Sequence, residues 1–157
     1  MAVLSWGKCT IEHVVSENGA PKGGGSASWK TLPTPKENTT KITPSAGTQK
    51  TATEEGGGLV DIRYSKNTYT LEFDLFVKKG EERPFEDDDG IISGEHAFRI
   101  TPEDEGCEGS QIDRSVLRCD ESYTTEEGKM LHYVAQCLKP ATGKTVKPYT
   151  KSTGIGG

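Results

Sequence analysis

Large apolar residues are scarce in this chain, at 31% hydrophobic and 7% aromatic among 157 residues. No apolar run approaches the ~18 residues of a membrane-spanning helix, which excludes that class. The opening "MAVLSWGKCT" lacks the basic and apolar regions of a secretory leader, so a soluble protein made in the cytoplasm is expected. Positive charge is not in excess either. A net charge of −5 is wrong for a surface that must displace counterions from phosphates, so tight DNA binding is not expected. Four cysteines, Cys9, Cys107, Cys119 and Cys137, contain no CxxC pair and are too scattered for a disulfide scaffold. They read as reduced thiols, with Cys119 and Cys137 packing inside strands rather than holding metal.

Catalytic signatures are missing as well. There is no P-loop, HExxH, GxSxG or dinucleotide fingerprint, and the glycine runs at Gly23 and Gly56 lack the Lys-Ser/Thr that phosphate cradling uses. "FEDDDG" fails as an EF-hand: with Gly90 as the loop glycine, Phe85 and His96 fall where carboxylate ligands belong. A plain acidic turn at Asp87, Asp88 and Asp89 is the better reading, with a loose cation contact as the alternative. His13 and His132 fit strand alternation without a ligand role. Asn38 begins a formal glycosylation sequon that, without a leader, has no route to the glycosylation machinery. No enzyme, cofactor or metal site is expected.

What is present is period-two alternation. In "YTLEFDLFVK", Tyr69, Leu71, Phe73, Leu75 and Val77 alternate with Thr70, Glu72, Asp74 and Lys78, which makes a strand with one buried face. "KMLHYVAQCLKP" is apolar on both faces and is expected to be covered twice. "VLSWGKCTIEHVV", "LVDIRYS", "HAFRI" and "IDRSVLRC" are further strands, with Val60, Ile62 and Tyr64 in phase. Only "GEERPFEDDDG" offers a helical turn, limited by Pro84 and Gly90. The length suits one domain over 1–157. The fold expected is mainly β: an antiparallel sandwich or barrel of about six or seven strands, at most one short helix, and a long hairpin arm.

That arm is the stretch from Pro33 to Gly58, with seven threonines and one large apolar residue, Ile42. A structureless loop longer than about 15 residues is unusual in a compact domain. Its polar alternation predicts two ribbon legs, "TTKIT" and "TQKTATE", around a turn at "PSAG". A ribbon without an apolar face to lay on its own domain points to partners on another chain, the alternative being a flexible surface loop. Charge is segregated too. Glu81 to Glu105 holds ten acids against Arg83 and Arg99, whereas Lys139, Lys144, Lys147 and Lys151 crowd the end. Residues 150–157 read as a loose tail.

The order "LSWGKCTIE", "WKTLPTPKENTTKITP", "EEGGGLVDIRYSKNTYTLEFDLFVKKG" and "YTTEEGKMLHYVAQCLKPATGKTVKPY" resembles the major tail tube proteins of long-tailed bacteriophages and prophages, from about Leu4 to Tyr149. The resemblance implies a β core with a flanking helix, six copies closing into a ring, and rings stacking into a hollow tube in the virion tail. It implies an assembly arm over 33–58, with Thr39, Thr40, Ile42 and Thr43 on one leg and Thr48, Lys50, Thr51 and Thr53 on the other. The implied partners are further copies and the tape-measure, tail-tip or baseplate and tail-terminator proteins, with DNA passing through unbound. An acidic channel wall is expected among Glu72, Asp74, Glu81 and Glu82. The competing class is a small β-sandwich module that holds a carbohydrate or receptor on exposed aromatics such as Trp6, with Trp29 read as an anchor where the arm leaves the core.

Overall fold

The structure is a computed structural model that describes residues 3–151. It holds eleven strands and one 3₁₀ turn, Gly24–Ser26. In chain order the strands are β1 (Thr10–Glu17), β2 (Ala20–Pro21), β3 (Lys30–Thr31), β4 (Lys41–Ser45), β5 (Gln49–Thr53) and β6 (Leu59–Tyr64). They continue as β7 (Thr68–Phe76), β8 (Ile91–Thr101), β9 (Gly109–Thr124), β10 (Gly128–Cys137) and β11 (Lys147–Tyr149). One antiparallel sheet runs β2-β1-β8-β9-β10-β7-β4, with β3 added on β1 and β11 on β9. It curls into a half-barrel, and β5 and β6 form a second, two-stranded sheet. The expected mainly β, antiparallel class is what the chain adopts.

The curl follows from one-sided burial. Leu71, Phe73 and Leu75 of β7 face inward beside Leu131, Tyr133 and Ala135 of β10 and Leu117 and Cys119 of β9. Phe73 stacks on Tyr133 at 5.4 Å between ring centroids, and Phe98 of β8 meets Phe73 edge-on at 6.1 Å. The β8–β9 register shifts twice, between Ile91 and Glu95 and between His96 and Phe98. Such bulges bend a strand and raise its twist. With no second layer to close the inner face, Leu32 and Phe85 come in from connecting segments to complete it.

β10 departs from its expected double cover. Its inner row, Leu131, Tyr133, Ala135 and Cys137, is buried, whereas the outward row is covered only at one end: Met130 is buried, His132 and Val134 are half-buried and Gln136 is exposed. Neighbouring strands shade that outer face and no second layer covers it. Cys119 and Cys137 are buried free thiols, as their alternation implies, and burial pushes both up to about 11. The Tyr133 hydroxyl is buried without a hydrogen-bond partner.

The expected helical turn does not form. Residues 77–90 are turns, and no α-helix occurs among the described residues, so the flanking helix implied by the resemblance is absent from them. Pro84 interrupts any helical ladder. The Asp87 side chain accepts a hydrogen bond from the Gly90 N–H at 2.9 Å, which closes a tight turn instead.

The two expected arm legs do not pair with each other. β4 joins the edge of the main sheet on β7, with Ile42 opposite Leu71 and Thr43 opposite Thr70. Ile42, the one large apolar residue of the stretch, packs against the core. β5 pairs instead with β6, the strand read from "LVDIRYS". The protruding ribbon is therefore Gln49 to Tyr64, shifted toward the C-terminus of the expected arm.

Candidate assembly surface

The ribbon is fastened at its base. Ser65 N–H donates to the Thr48 carbonyl at 2.9 Å, the Thr48 and Ser65 hydroxyls meet at 2.9 Å, and Gly47 N–H donates to Asn67 Oδ1. A Cβ on Gly47 would come within 2.1 Å of the Ser65 carbonyl oxygen, so this crossing requires glycine. At the tip, Glu54 N–H donates to Gly58 O and Gly57 N–H to Glu54 O. Gly56 and Gly57, at φ +89° and +92°, take the left-handed conformation that this turn needs.

Between base and tip the two faces differ. Tyr64 lies opposite Gln49 and Ile62 opposite Thr51, with Val60 next in the same row. The other face carries Lys50 opposite Arg63 and Ala52 opposite Asp61, with an Arg63–Asp61 contact at 3.1 Å. Among the described residues β5 and β6 pair only with each other, and Tyr64 and Val60 are 73% and 64% exposed. An isolated two-stranded hairpin is marginal in water and needs packing for stability. The ribbon's apolar row is turned to solvent.

Thr48, Lys50, Thr51 and Thr53 stand on or at the foot of the ribbon as expected, whereas Thr39, Thr40, Ile42 and Thr43 belong to the main body. Thr39 ties its segment to β7: its hydroxyl donates to Lys36 O at 2.7 Å and accepts from Asp74 N–H at 3.2 Å. Thr40 lies against Cys9, in the lining of a cleft. The residues missed from the sequence are Val60, Ile62 and Tyr64. Their alternation is visible in the sequence as one face of a strand, without sign of whether that face meets the core or water.

The acidic candidates split into two places. Glu72 and Asp74 lie on the outer face of β7, where His132 of β10 sits between them. Its Nδ1 is 2.5 Å from Asp74 Oδ1 and its Nε2 3.3 Å from Glu72 Oε1, while Lys41 Nζ approaches Glu72 at 3.7 Å. Glu81 and Glu82 are exposed in the loop beyond β7. Among the described residues no group of three or more His, Cys, Asp or Glu could hold a metal ion. In the acidic turn, Asp87 faces the Gly90 N–H and the Arg83 guanidinium, 3.7 Å away.

The open seam of the half-barrel forms a cleft of ≈740 Å³ lined by Trp6, Cys9, Lys36, Ile42, Ile100 and Pro102, among others. Trp6 is 76% exposed. Trp29, by contrast, is half-buried, with the Arg99 guanidinium 4.4 Å from its ring centre, in keeping with an anchor. No helix among the described residues is long and apolar enough to cross a membrane. The chain matches no known protein family model, and a search of curated proteins finds no match.

Proposed function

We propose that this chain is a structural subunit that assembles into stacked rings, a hollow tail tube of the bacteriophage kind, through which DNA passes. The observation that carries the reading is the Gln49–Tyr64 ribbon, which pairs with no other strand and shows an apolar row to solvent. A face of that kind is stable once a second copy covers it. Contacts between unlike surfaces either close into a ring or propagate a filament, and a tube needs both. The free edge of β4 is suited to lateral sheet pairing, which would also cover an edge otherwise open to aggregation. With net charge −5, and with Glu72 and Asp74 on an outward face, the subunit offers an acidic lining that repels phosphates. In this reading the chain acts in the virion tail, has no catalytic role, needs no cofactor, and meets tape-measure, tail-tip and terminator proteins at the tube ends.

The test is negative-stain electron microscopy of concentrated protein with light-scattering mass on the same sample. Rings or tubes with an axial hole are expected. A particle that stays monomeric even with tube-end partners added would sink the proposal. The cleft beside exposed Trp6 supports a second reading, a module that binds a carbohydrate or receptor. Quenching of Trp6 fluorescence by a sugar, in a protein that never assembles, would favour it.

A further inference from the structure

On the inner face, under the loop of residues 77–90, two imidazoles touch. His13 Nε2 of β1 lies 3.0 Å from His96 Nδ1 of β8, and His96 Nε2 lies 3.0 Å from the Ser93 carbonyl oxygen. A carbonyl only accepts, so His96 carries its hydrogen on Nε2. Its Nδ1 is then bare and accepts from His13 Nε2–H. Both rings are neutral in this arrangement, and the chain of donors has one direction: His13 to His96 to Ser93. Burial lowers both, His13 down to about 4 with further lowering by His96 and by Lys30, and His96 against an opposing hydrogen bond to Ser93.

Phe85 rests on this pair. Its ring meets His13 edge-on at 4.5 Å and His96 at 5.4 Å, and also touches Phe98 and Tyr133. The groups facing the imidazoles are Lys30 from β3, Phe98 from β8 and Phe85 from the loop. Cys119 of β9 and Tyr133 of β10 lie beyond Phe85, both pushed up by burial and so neutral across the acid range. Among the described residues no carboxylate acts on either ring. Elsewhere the loop is held by the Arg83–Glu121 pair at 2.6 Å and by the two Asp88–Ile91 backbone bonds. Arg83 and Lys129 lower Glu121, so this tie persists into acid.

We propose that the His13–His96 pair is an acid-sensitive latch: neutral, it seats Phe85 and closes the 77–90 loop; protonated, it releases the loop while the sheet stays folded. One added proton keeps the contact only if His96 donates from both nitrogens and His13 changes tautomer, and it already sets an uncompensated charge in the aromatic pocket beside Lys30. A second leaves two N–H groups facing each other and two positive charges beside Lys30 in an aromatic pocket. The released segment takes Glu86 and Asp87 to Asp89 away from the sheet, with Arg83 still paired to Glu121 as its hinge. This inference stands on the core alone and is independent of the tube reading.

The test is hydrogen exchange of the intact protein at pH 7.5 and pH 5.0, corrected for the intrinsic effect of pH on exchange. The readout is the amides of Asp88, Ile91 and Cys119, bonded to Ile91 O, Asp88 O and Gly90 O, against Leu117 and Tyr133 in the central strands. A proton site at about 4 closed and 6.5 open makes opening about 30-fold more frequent at pH 5.0 from His13 alone. The expected result is that loop protection falls by this order in the wild type while the central strands keep theirs. In His13→Phe/His96→Gln the fall should shrink to about twofold or less. Equal loop protection at both pH values, an undiminished fall in the double variant, or simultaneous loss across the central strands would each overturn the latch. Should the double variant not fold, wild-type imidazole NMR titrations decide. Titration of His13 and His96 together with loop opening supports the latch, and titration near 6.5 with a closed loop refutes it.

Discussion

Arg99 shows how much a single side chain does on the outer face. Its guanidinium bonds Glu12 with both arms of the fork, at 2.9 and 3.1 Å, and lies 4.4 Å from the centre of the Trp29 ring and 5.1 Å from that of Tyr149. It thereby clamps β1, β8, β11 and the segment before β3 together. Arg99→Ala strands the half-buried Glu12 carboxylate and opens the stack, and is expected to cost about 2–3 kcal/mol in urea unfolding. Arg99→Lys keeps the charge and loses the planar fork, at about half that cost. A loss under about 0.5 kcal/mol for Arg99→Ala would mean that the stack contributes nothing. The Arg99–Glu12 pair was not legible in the sequence, because partners 87 residues apart share no local pattern, whereas Trp29 already reads there as an anchor. The buried thiols of Cys119 and Cys137 were legible, since each falls on the apolar beat of its own strand.

Among the elements, β7 and β10 could be read directly because their alternation has one strong apolar phase. β4, β5 and β6 could not be assigned partners that way. Period two tells which residues share a face; it does not tell whether that face meets a core or water, and polar legs define register weakly. Val60, Ile62 and Tyr64 look like an inward row and face solvent, while Ile42, a single apolar residue among threonines, is what carries β4 into the main sheet. The same logic gives a test for the ribbon. Ile62→Asp breaks the apolar row where no core depends on it, so the urea midpoint should hold within about 0.5 kcal/mol. Assembly measured by light scattering should fall at least tenfold. If stability drops by several kcal/mol instead, the row is packed against its own domain.

At the scale of the whole molecule, a charge of −5 on every copy sets repulsion against the apolar contact. Salt screens the first and leaves the second, so raising sodium chloride from about 0.02 to 0.5 M is expected to speed assembly in light-scattering time courses. Slowing would place ion pairs, rather than the apolar row, at the centre of the contact. The order of pairing also has a consequence in time. β8, β9 and β10 form the centre of the sheet with neighbours consecutive in sequence, whereas β1, complete at Glu17, waits for β8, which begins at Ile91. At ribosomal speeds of about 5–20 residues per second, that wait is on the order of ten seconds. Throughout it the strand that carries Ile11 has only the two-residue β2 and β3 beside it. On the ribosome the sheet grows outward from its centre, and β1, made long before its β8 neighbour, is among the last strands to find its place.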